Sequence, residues 1–143
     1  MTDRGANRTA DPKFELLRGL KLPVSDYVIF GSVPMYVHGL RQEICDLDIV
    51  ARRLAWQAVT SLGKPTSAPS GYGNMVELYD GELQFFDQWI SSDWNVDELI
   101  DESSIVDGLP FAQLNQVFRS KLQMNRPRDQ DDLRTLRLYY ASH

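Results

Sequence analysis

The feature that most constrains this chain is a hydrophobic run that ends in Gly-Ser and is followed, after a short helical pattern, by an Asp-x-Asp pair. The run covers residues 27–30 and consists of Tyr, Val, Ile and Phe, which are typical of buried strands. It stops at Gly31-Ser32, and a second apolar stretch over residues 46–51 carries Asp46 and Asp48. This order predicts a strand, a turn, a helix and a second strand, and it puts a candidate phosphate cradle beside a candidate metal site.

The two aspartates are predicted to project from the same face of their strand, because strand side chains alternate between faces. Leu47 and Ile49 would then point into the core. Two carboxylates in one small volume repel each other unless a cation neutralises them, and hard oxygen ligands suit Mg²⁺ or Mn²⁺. Asp-x-Asp pairs are also common at ordinary solvated strand ends. The pair Asp46 and Asp48 therefore indicates a metal site only together with its neighbours.

Gly31, Ser32 and Asp87 are the neighbours that favour such a site. Gly31 lets backbone N–H groups approach a phosphate closely, and Ser32 adds a hydroxyl donor; the alternative is a plain strand-to-helix turn capped by serine. Asp87 lies on a predicted strand among apolar residues and needs a partner; the alternative is an edge-strand charge that discourages aggregation. The favoured interpretation is metal coordination by Asp46, Asp48 and Asp87.

The rest of the pattern predicts a mixture of helices and strands. Asp80-Gly81 suits a tight hairpin turn between strands over residues 74–79 and 82–89, and residues 64–73 are predicted to form a loop. Helical spacing predicts helices over residues 13–20, 34–39, 54–62, 94–100 (capped by Asp93), 111–124 and from 130 onward. In the last helix we expect an inward side made of Leu133, Leu136 and Leu138.

Composition limits the class of protein. A length of 143 residues with 43% hydrophobic residues suits a single domain over residues 13–143, preceded by a flexible N-terminus over residues 1–12. A net charge of −5 argues against coating of nucleic acid or a membrane through the global field. Cys45 cannot form an internal disulfide and is expected to be buried, and no apolar run reaches the length of a membrane span. We therefore expect a cytoplasmic protein with no membrane partner.

These motifs resemble the nucleotidyltransferase fold of the DNA polymerase β superfamily, through Gly31-Ser32, Asp46-Leu47-Asp48 and Asp87. The tail is similar to the closing segment of minimal bacterial nucleotidyltransferases, which include the abortive-infection toxin group and relatives of lincosamide-modifying enzymes. That similarity is carried by Asp107-Gly108-Leu109-Pro110, Lys121, Arg126-Pro127-Arg128-Asp129 and Asp132-Leu133. The resemblance implies an α+β chain with a small mixed β-sheet, helices packed on it and a helical C-terminal segment.

The resemblance also implies an activity: a metal-dependent nucleotidyltransferase that moves NMP from an NTP to an acceptor hydroxyl and releases pyrophosphate, with two Mg²⁺ or Mn²⁺ ions. The acceptor would be an RNA end, a protein or a small hydroxylated compound. Catalysis and metal binding would fall to Asp46, Asp48 and Asp87, and nucleotide binding to Gly31, Ser32, Lys121, Arg126 and Asp129. For Lys121 and Arg126 the alternative is a solvated helix face, and for Asp129 a helix cap.

A second interpretation is a catalytically weak nucleotide-binding protein of the same fold. It would act through a partner chain, as an antitoxin of a toxin–antitoxin pair does. The small size of the chain favours this interpretation, because larger members of the superfamily carry extra helical domains for the second substrate. Residues 119–137 carry six Arg and Lys against three Asp. This local excess of positive charge predicts either a surface for RNA phosphates or, more commonly, a solvated helix of mixed charge.

Overall fold

The computed structural model describes residues 8–143 as one mixed sheet covered by helices. The α-helices are α1 (Pro12–Gly19), α2 (Val33–Val37), α3 (Arg53–Thr60), α4 (Val96–Asp101), α5 (Leu114–Met124) and α6 (Gln130–Ser142). The strands are β1 (Tyr27–Ile29), β2 (Leu47–Ala51), β3 (Thr66–Ser67), β4 (Asn74–Leu78), β5 (Leu83–Phe86), β6 (Ser104–Val106) and β7 (Leu109–Phe111). Short 3₁₀ helices cover Val24–Asp26 and Pro127–Asp129. The predicted α+β class, with a mixed sheet and a helical C-terminal segment, is confirmed.

The sheet order brings the two motif strands together at its centre. The seven strands lie in the order β3-β4-β5-β2-β1-β7-β6. Strand β1 runs antiparallel to β2, with Val28 opposite Val50, and β2 runs parallel to β5, with Asp48 opposite Gln84. Because β1 and β2 are antiparallel, the turn that follows β1 lies beside the residues that begin β2.

The core occupies both faces of the sheet. Leu47 and Ile49 lie on one face with Phe14 and Leu17 of α1 and with Ala55 and Val59 of α3. On the opposite face, Val28 and Val50 pack with side chains of α4, α5 and α6: Leu99, Ile100, Val117 and Leu136. The alternation of β2 directs Asp48 toward this second face, so the C-terminal helices cover the side of the sheet that carries the aspartates.

The predicted hairpin at Asp80-Gly81 is confirmed. Strands β4 and β5 pair antiparallel, with Leu78 opposite Leu83. Tyr79, Asp80 and Gly81 all have positive φ angles, of 57°, 56° and 86°. A left-handed backbone at consecutive residues is the geometry that Asp-Gly favours in tight turns.

Several local predictions differ from the structure. Strands β6 and β7 form a hairpin around Asp107-Gly108 that was not predicted, and β3 lies inside the predicted loop. The side chain of Asn95, rather than Asp93, caps α4 by accepting a hydrogen bond from the Glu98 N–H. Leu138 is 65% exposed and lies outside the core, since the helical period brings Leu133 and Leu136 inward instead.

The segment before α1 is only partly described. Residues 1–7 of the predicted flexible N-terminus lie outside the described residues. Thr9 is buried, and its hydroxyl donates a hydrogen bond of 2.7 Å to Asp107. None of the helices that the structure describes has the length and apolar character needed to cross a bilayer.

Candidate functional site

An open cleft of about 850 Å³ lies where β1 ends, β2 begins and the C-terminal helices cover the sheet. Seven of the eight site residues predicted from the sequence line it: Gly31, Ser32, Asp46, Asp48, Lys121, Arg126 and Asp129. They come from the turn after β1, from the start of β2, from α5 and from the 3₁₀ helix before α6. The fold therefore collects distant motifs in one place.

Gly31 is the residue that lets β1 and β2 approach at this end of the sheet. It has a φ of 67°, and a Cβ built on it would lie 2.7 Å from Oδ2 of Asp48. The N–H of Phe30 donates a hydrogen bond of 2.7 Å to the carbonyl oxygen of Asp48. Any residue with a side chain would both strain the backbone at Gly31 and displace the Asp48 carboxylate.

Asp46 and Asp48 form the acidic part of the cleft. Asp46 is exposed and Asp48 is half-buried. Burial raises the pKa of Asp48 from 3.8 to about 6, and the Asp46 carboxylate adds to this rise, whereas Lys121, Arg126 and Arg128 oppose it. A cation between the two carboxylates would favour the ionised form of both. Carboxylate oxygens are the ligands that Mg²⁺ and Mn²⁺ prefer, so this pair is the part of the cleft that would contribute ligands to such an ion.

Asp87 does not join the two aspartates. Its Oδ1 accepts a hydrogen bond of 2.8 Å from the N–H of Asn74, and it is not part of the cleft wall. The reason is the alternation of side chains along β5, in which Gln84 stands opposite Asp48 and shares its face. Asp87 is three positions after Gln84 and follows the last residue of β5, Phe86, so it does not share that face. Within residues 8–143, no group of three or more His, Cys, Asp or Glu side chains is arranged to hold a metal ion. The predicted grouping of Asp46, Asp48 and Asp87 does not form.

Gln84 occupies the position beside the two aspartates. It lines the cleft, and its Nε2 lies 3.5 Å from Oδ2 of Asp46 and 3.4 Å from Oε2 of Glu77. Sequence reasoning missed Gln84 because the register between β2 and β5 is not written in either strand. The sequence did contain one useful signal. Side chains alternate along a strand, so Gln84 and Asp87 are expected on opposite faces of the second hairpin strand.

Lys121 is buried and fully engaged. It is 4% exposed, and its Nζ donates a hydrogen bond of 2.8 Å to Oγ of Ser32. Nζ also lies 3.1 Å from Oδ2 of Asp132 and 3.6 Å from Oδ1 of Asp129. The alternative of a solvated helix face is therefore wrong for Lys121. In this arrangement the ammonium group holds the cleft wall together.

Asp132 and Arg41 also line the cleft, and the site prediction omitted both. Oδ2 of Asp132 accepts hydrogen bonds of 2.9 Å from the Ser32 hydroxyl and 2.7 Å from Nη1 of Arg41. Burial alone would raise the pKa of Asp132, but the charge of Lys121, the hydrogen bonds from Lys121 and Ser32 and the charge of Arg41 hold it below the usual value. In the sequence, Asp132 is marked by its position next to Leu133, which was predicted to lie on the inward side of the last helix.

Ser32 has its hydroxyl committed to this network. Its one O–H is donated to Asp132, and it accepts from Lys121, so it does not face outward as an unengaged donor. The helix that follows, α2, has only five residues, and Ser32 makes no side-chain cap bond to it. The Ser32 hydroxyl is therefore engaged within the protein, and the backbone groups around Gly31 are what this turn offers to a ligand.

Arg126 and Asp129 form a second ion pair in the wall, in which Asp129 is buried and Arg126 is half-buried. Nε and Nη2 of Arg126 donate hydrogen bonds of 2.8 and 3.0 Å to the two oxygens of Asp129. The N–H of Arg126 donates to the same carboxylate, so Asp129 caps the 3₁₀ helix as well. Burial raises the pKa of Asp129, but the hydrogen bonds from Arg126 and the nearby charges of Lys121 and Arg126 outweigh this and lower it. Asp129 is thus a structural anchor for Arg126.

Part of the cleft lining is apolar. Its side chains include Phe86, Trp89, Ile90 and Met124. The ring of Trp89 packs against Phe86, and its Nε1 donates a hydrogen bond of 3.0 Å to Ser120. Cys45 also lines the cleft and is exposed, contrary to the buried position that was expected. Aromatic side chains in the same cleft as carboxylates and cations suit a ligand with both an apolar ring and charged groups.

Comparisons of the chain with protein-family models, with curated proteins and with solved structures found no match. The functional conclusion therefore depends on the chemistry of the cleft residues and on their positions in the fold.

Proposed function

We propose that this protein is a metal-dependent nucleotidyltransferase with the fold of the DNA polymerase β superfamily. The observation that supports this most is that Asp46 and Asp48 line the same cleft as the Gly31-Ser32 turn and the buried Lys121. Ser32 and the Asp132 that completes this network are 100 positions apart in the chain. Such long-range convergence of carboxylates and cations on one glycine turn suits the binding of a nucleoside triphosphate with its metal.

Asp46 and Asp48 are the proposed metal ligands. A divalent cation bound there would neutralise phosphate charge and polarise the α-phosphoryl group. The two carboxylates fix the place of the triphosphate relative to the turn after β1, and the absence of a side chain at Gly31 leaves room for the backbone to approach it. Positioning and charge neutralisation account for most of the rate in this type of chemistry.

Arg126 and Arg128 are the proposed phosphate-binding side chains. Arg128 lines the cleft, is exposed, and forms no ion pair in the part of the chain that the structure describes. Arg126 is held in place by Asp129, which orients its guanidinium group at the cleft wall. Guanidinium groups bind phosphate oxygens in a bidentate manner. Lys121, in contrast, is assigned to holding Ser32 and Asp132 rather than to direct phosphate contact.

In the proposed reaction, an acceptor hydroxyl oxygen forms a bond to the α-phosphorus while the bond to the leaving pyrophosphate breaks. The proton of the acceptor passes to water. The open cleft leaves the acceptor side accessible, and the candidate acceptors are an RNA end, a protein hydroxyl and a small hydroxylated compound. Pyrophosphate release and label transfer from the α-position are therefore the two products to measure.

The test is an assay with each α-labelled NTP, Mg²⁺ or Mn²⁺, total RNA and cell extract. The variant with both Asp46→Asn and Asp48→Asn is expected to transfer no label, whereas the matched control Asp87→Asn, which changes a carboxylate outside the cleft, is expected to transfer as the wild type does. Digestion of the labelled product with ribonuclease or protease identifies the acceptor class. Equal label with the wild type and the double variant, or no label with any nucleotide, would contradict the proposal.

A second candidate function is a nucleotide-binding protein of the same fold with little turnover, acting through a partner chain. The observation that favours it is Gln84, a neutral amide beside Asp46 and Asp48 where a third carboxylate would strengthen metal binding. This candidate predicts metal-dependent NTP binding that depends on Asp46 and Asp48 without label transfer. It also predicts a partner protein or a homodimer, and the latter is measurable by light scattering of the purified chain.

A further inference from the structure

We propose that the cleft binds one divalent cation rather than two, and that Gln84 is the residue that sets this number. The inference rests on the proposed function, since it concerns the metal site of the same cleft. The metal count is nevertheless measurable without any nucleotide transfer. Three structural observations support it: the position of Gln84 opposite Asp48, the ion pairs that hold Asp129 and Asp132, and the positive side chains that line the cleft.

The first observation is the position of Gln84. Strands β2 and β5 run parallel with Asp48 opposite Gln84, so the two side chains project to the same face on neighbouring strands. The amide nitrogen of Gln84 lies within 3.5 Å of Oδ2 of Asp46. Gln84 therefore stands where a third acidic side chain would be next to both aspartates, and it brings no negative charge.

The second observation is that the other carboxylates of the cleft are committed elsewhere. Asp132 accepts from Ser32 and Arg41 and pairs with Lys121. Asp129 is held by Nε and Nη2 of Arg126. Neither can turn toward a second cation without breaking a buried ion pair, which is strongly unfavourable.

The third observation is the charge of the cleft. Two carboxylates, Asp46 and Asp48, match the charge of one divalent cation. Two divalent cations at the separation usual for paired sites repel each other strongly unless bridging carboxylates lie between them. The cleft wall also carries Arg126 and Arg128, whose positive charges take over part of the phosphate neutralisation that a second ion would supply. A single Mg²⁺ bound through one or two carboxylates and substrate phosphates fits this balance.

The experiment counts Mn²⁺ ions bound to the metal-free protein by electron paramagnetic resonance. The count is made first on the protein alone and then with one equivalent of a non-hydrolysable NTP analogue. We expect one ion per chain for the wild type in both conditions. Gln84→Glu, which supplies the missing carboxylate, is expected to raise the number to two. Asp87→Asn is expected to leave it at one, and Asp48→Asn to abolish binding.

Gln84→Asp is titrated in the same way if Gln84→Glu does not fold, because the shorter carboxylate lies further from Asp46. Two ions in the wild type, no ion in the wild type, or an unchanged count in a folded Gln84→Glu or Gln84→Asp variant would overturn the inference. Two ions together with label transfer would overturn it while leaving the transferase proposal intact. One ion without label transfer would overturn the transferase proposal and leave the metal count standing.

Discussion

The ammonium group of Lys121 donates a hydrogen bond of 2.8 Å to the hydroxyl of Ser32, which stands 89 positions earlier in the chain. This bond joins α5 to the turn that follows β1. Oδ2 of Asp132 accepts a hydrogen bond from Ser32 and forms an ion pair with Lys121, so α6 is fixed to the same point. The second half of the chain therefore completes a cleft that the first half only begins.

Lys121→Met tests the structural role of this buried ammonium. The variant leaves Asp129 and Asp132 with one cation fewer, and we expect the free energy of unfolding to fall by about 2–3 kcal/mol. The loss stays below that of a fully uncompensated buried charge because Arg126 and Arg41 remain. Urea unfolding at neutral pH measures it.

The matched control for that variant is Arg134→Met on α6. Arg134 pairs with Asp131 at 2.8 Å, but the two side chains are 68% and 90% exposed. The expected loss is below about 1 kcal/mol, as for other surface ion pairs. Equal losses in the two variants would show that the network around Lys121 contributes no more than a surface pair.

Gly31→Ala tests the close approach between the β1 turn and Asp48. We expect the free energy of unfolding to fall by about 2–4 kcal/mol, since the new Cβ both lies within 2.7 Å of Oδ2 of Asp48 and disfavours the φ of 67°. Gly71→Ala is the control, because Gly71 has a φ of 83° with no atom within 4 Å of the new Cβ. That variant isolates the backbone cost of about 1 kcal/mol. Identical losses would mean that contact with Asp48 adds nothing.

Asp48→Asn is expected to stabilise the metal-free protein at pH 8 by about 1–3 kcal/mol. The pKa of Asp48 rises from 3.8 to about 6 in the folded state, so the folded protein binds this proton more tightly than the unfolded chain does. The contribution of Asp48 to stability is therefore greatest below pH 3.8 and declines as the pH rises toward 6. Chemical unfolding at several pH values measures this slope, which Asp48→Asn should remove. A slope unchanged in the variant would contradict the assignment.

Asp132→Asn is expected to show the opposite pH dependence. Because the folded-state pKa of Asp132 lies below its usual value, the stability it contributes is present above the unfolded pKa and is lost as the pH falls through the folded one. The variant should be less stable than the wild type by about 1–3 kcal/mol at pH 7, and the difference should shrink as the pH falls through the folded-state pKa of Asp132. Urea midpoints measured at pH 7 and at progressively more acidic pH values test this. A constant difference would indicate that the charge of Asp132 is not what stabilises the fold.

Much of the candidate site was predictable, because its residues are marked by local chemistry. Gly31 ends a strongly apolar strand, and Asp46 and Asp48 alternate with core residues, so both their strands and their shared face follow from periodicity. Asp87 was assigned to the site because it is a lone charge among apolar residues of a predicted strand and needs a partner. Its true surroundings depend on which residue of β5 stands opposite Asp48, and pairing between strands that are distant in the chain leaves no mark in either one.

By itself, the sequence determined the local elements: the strand that ends at Gly31, the hairpin turn at Asp80-Gly81, and the amphipathic helices at the C-terminus. These depend on backbone preferences and on the spacing of apolar residues, which act over a few neighbours. Only the tertiary structure decided that Gln84 rather than Asp87 stands beside the aspartates, and that Lys121 is buried against Ser32. Strand register and burial arise from the packing of the whole sheet against its helices, so they depend on residues far apart in the chain.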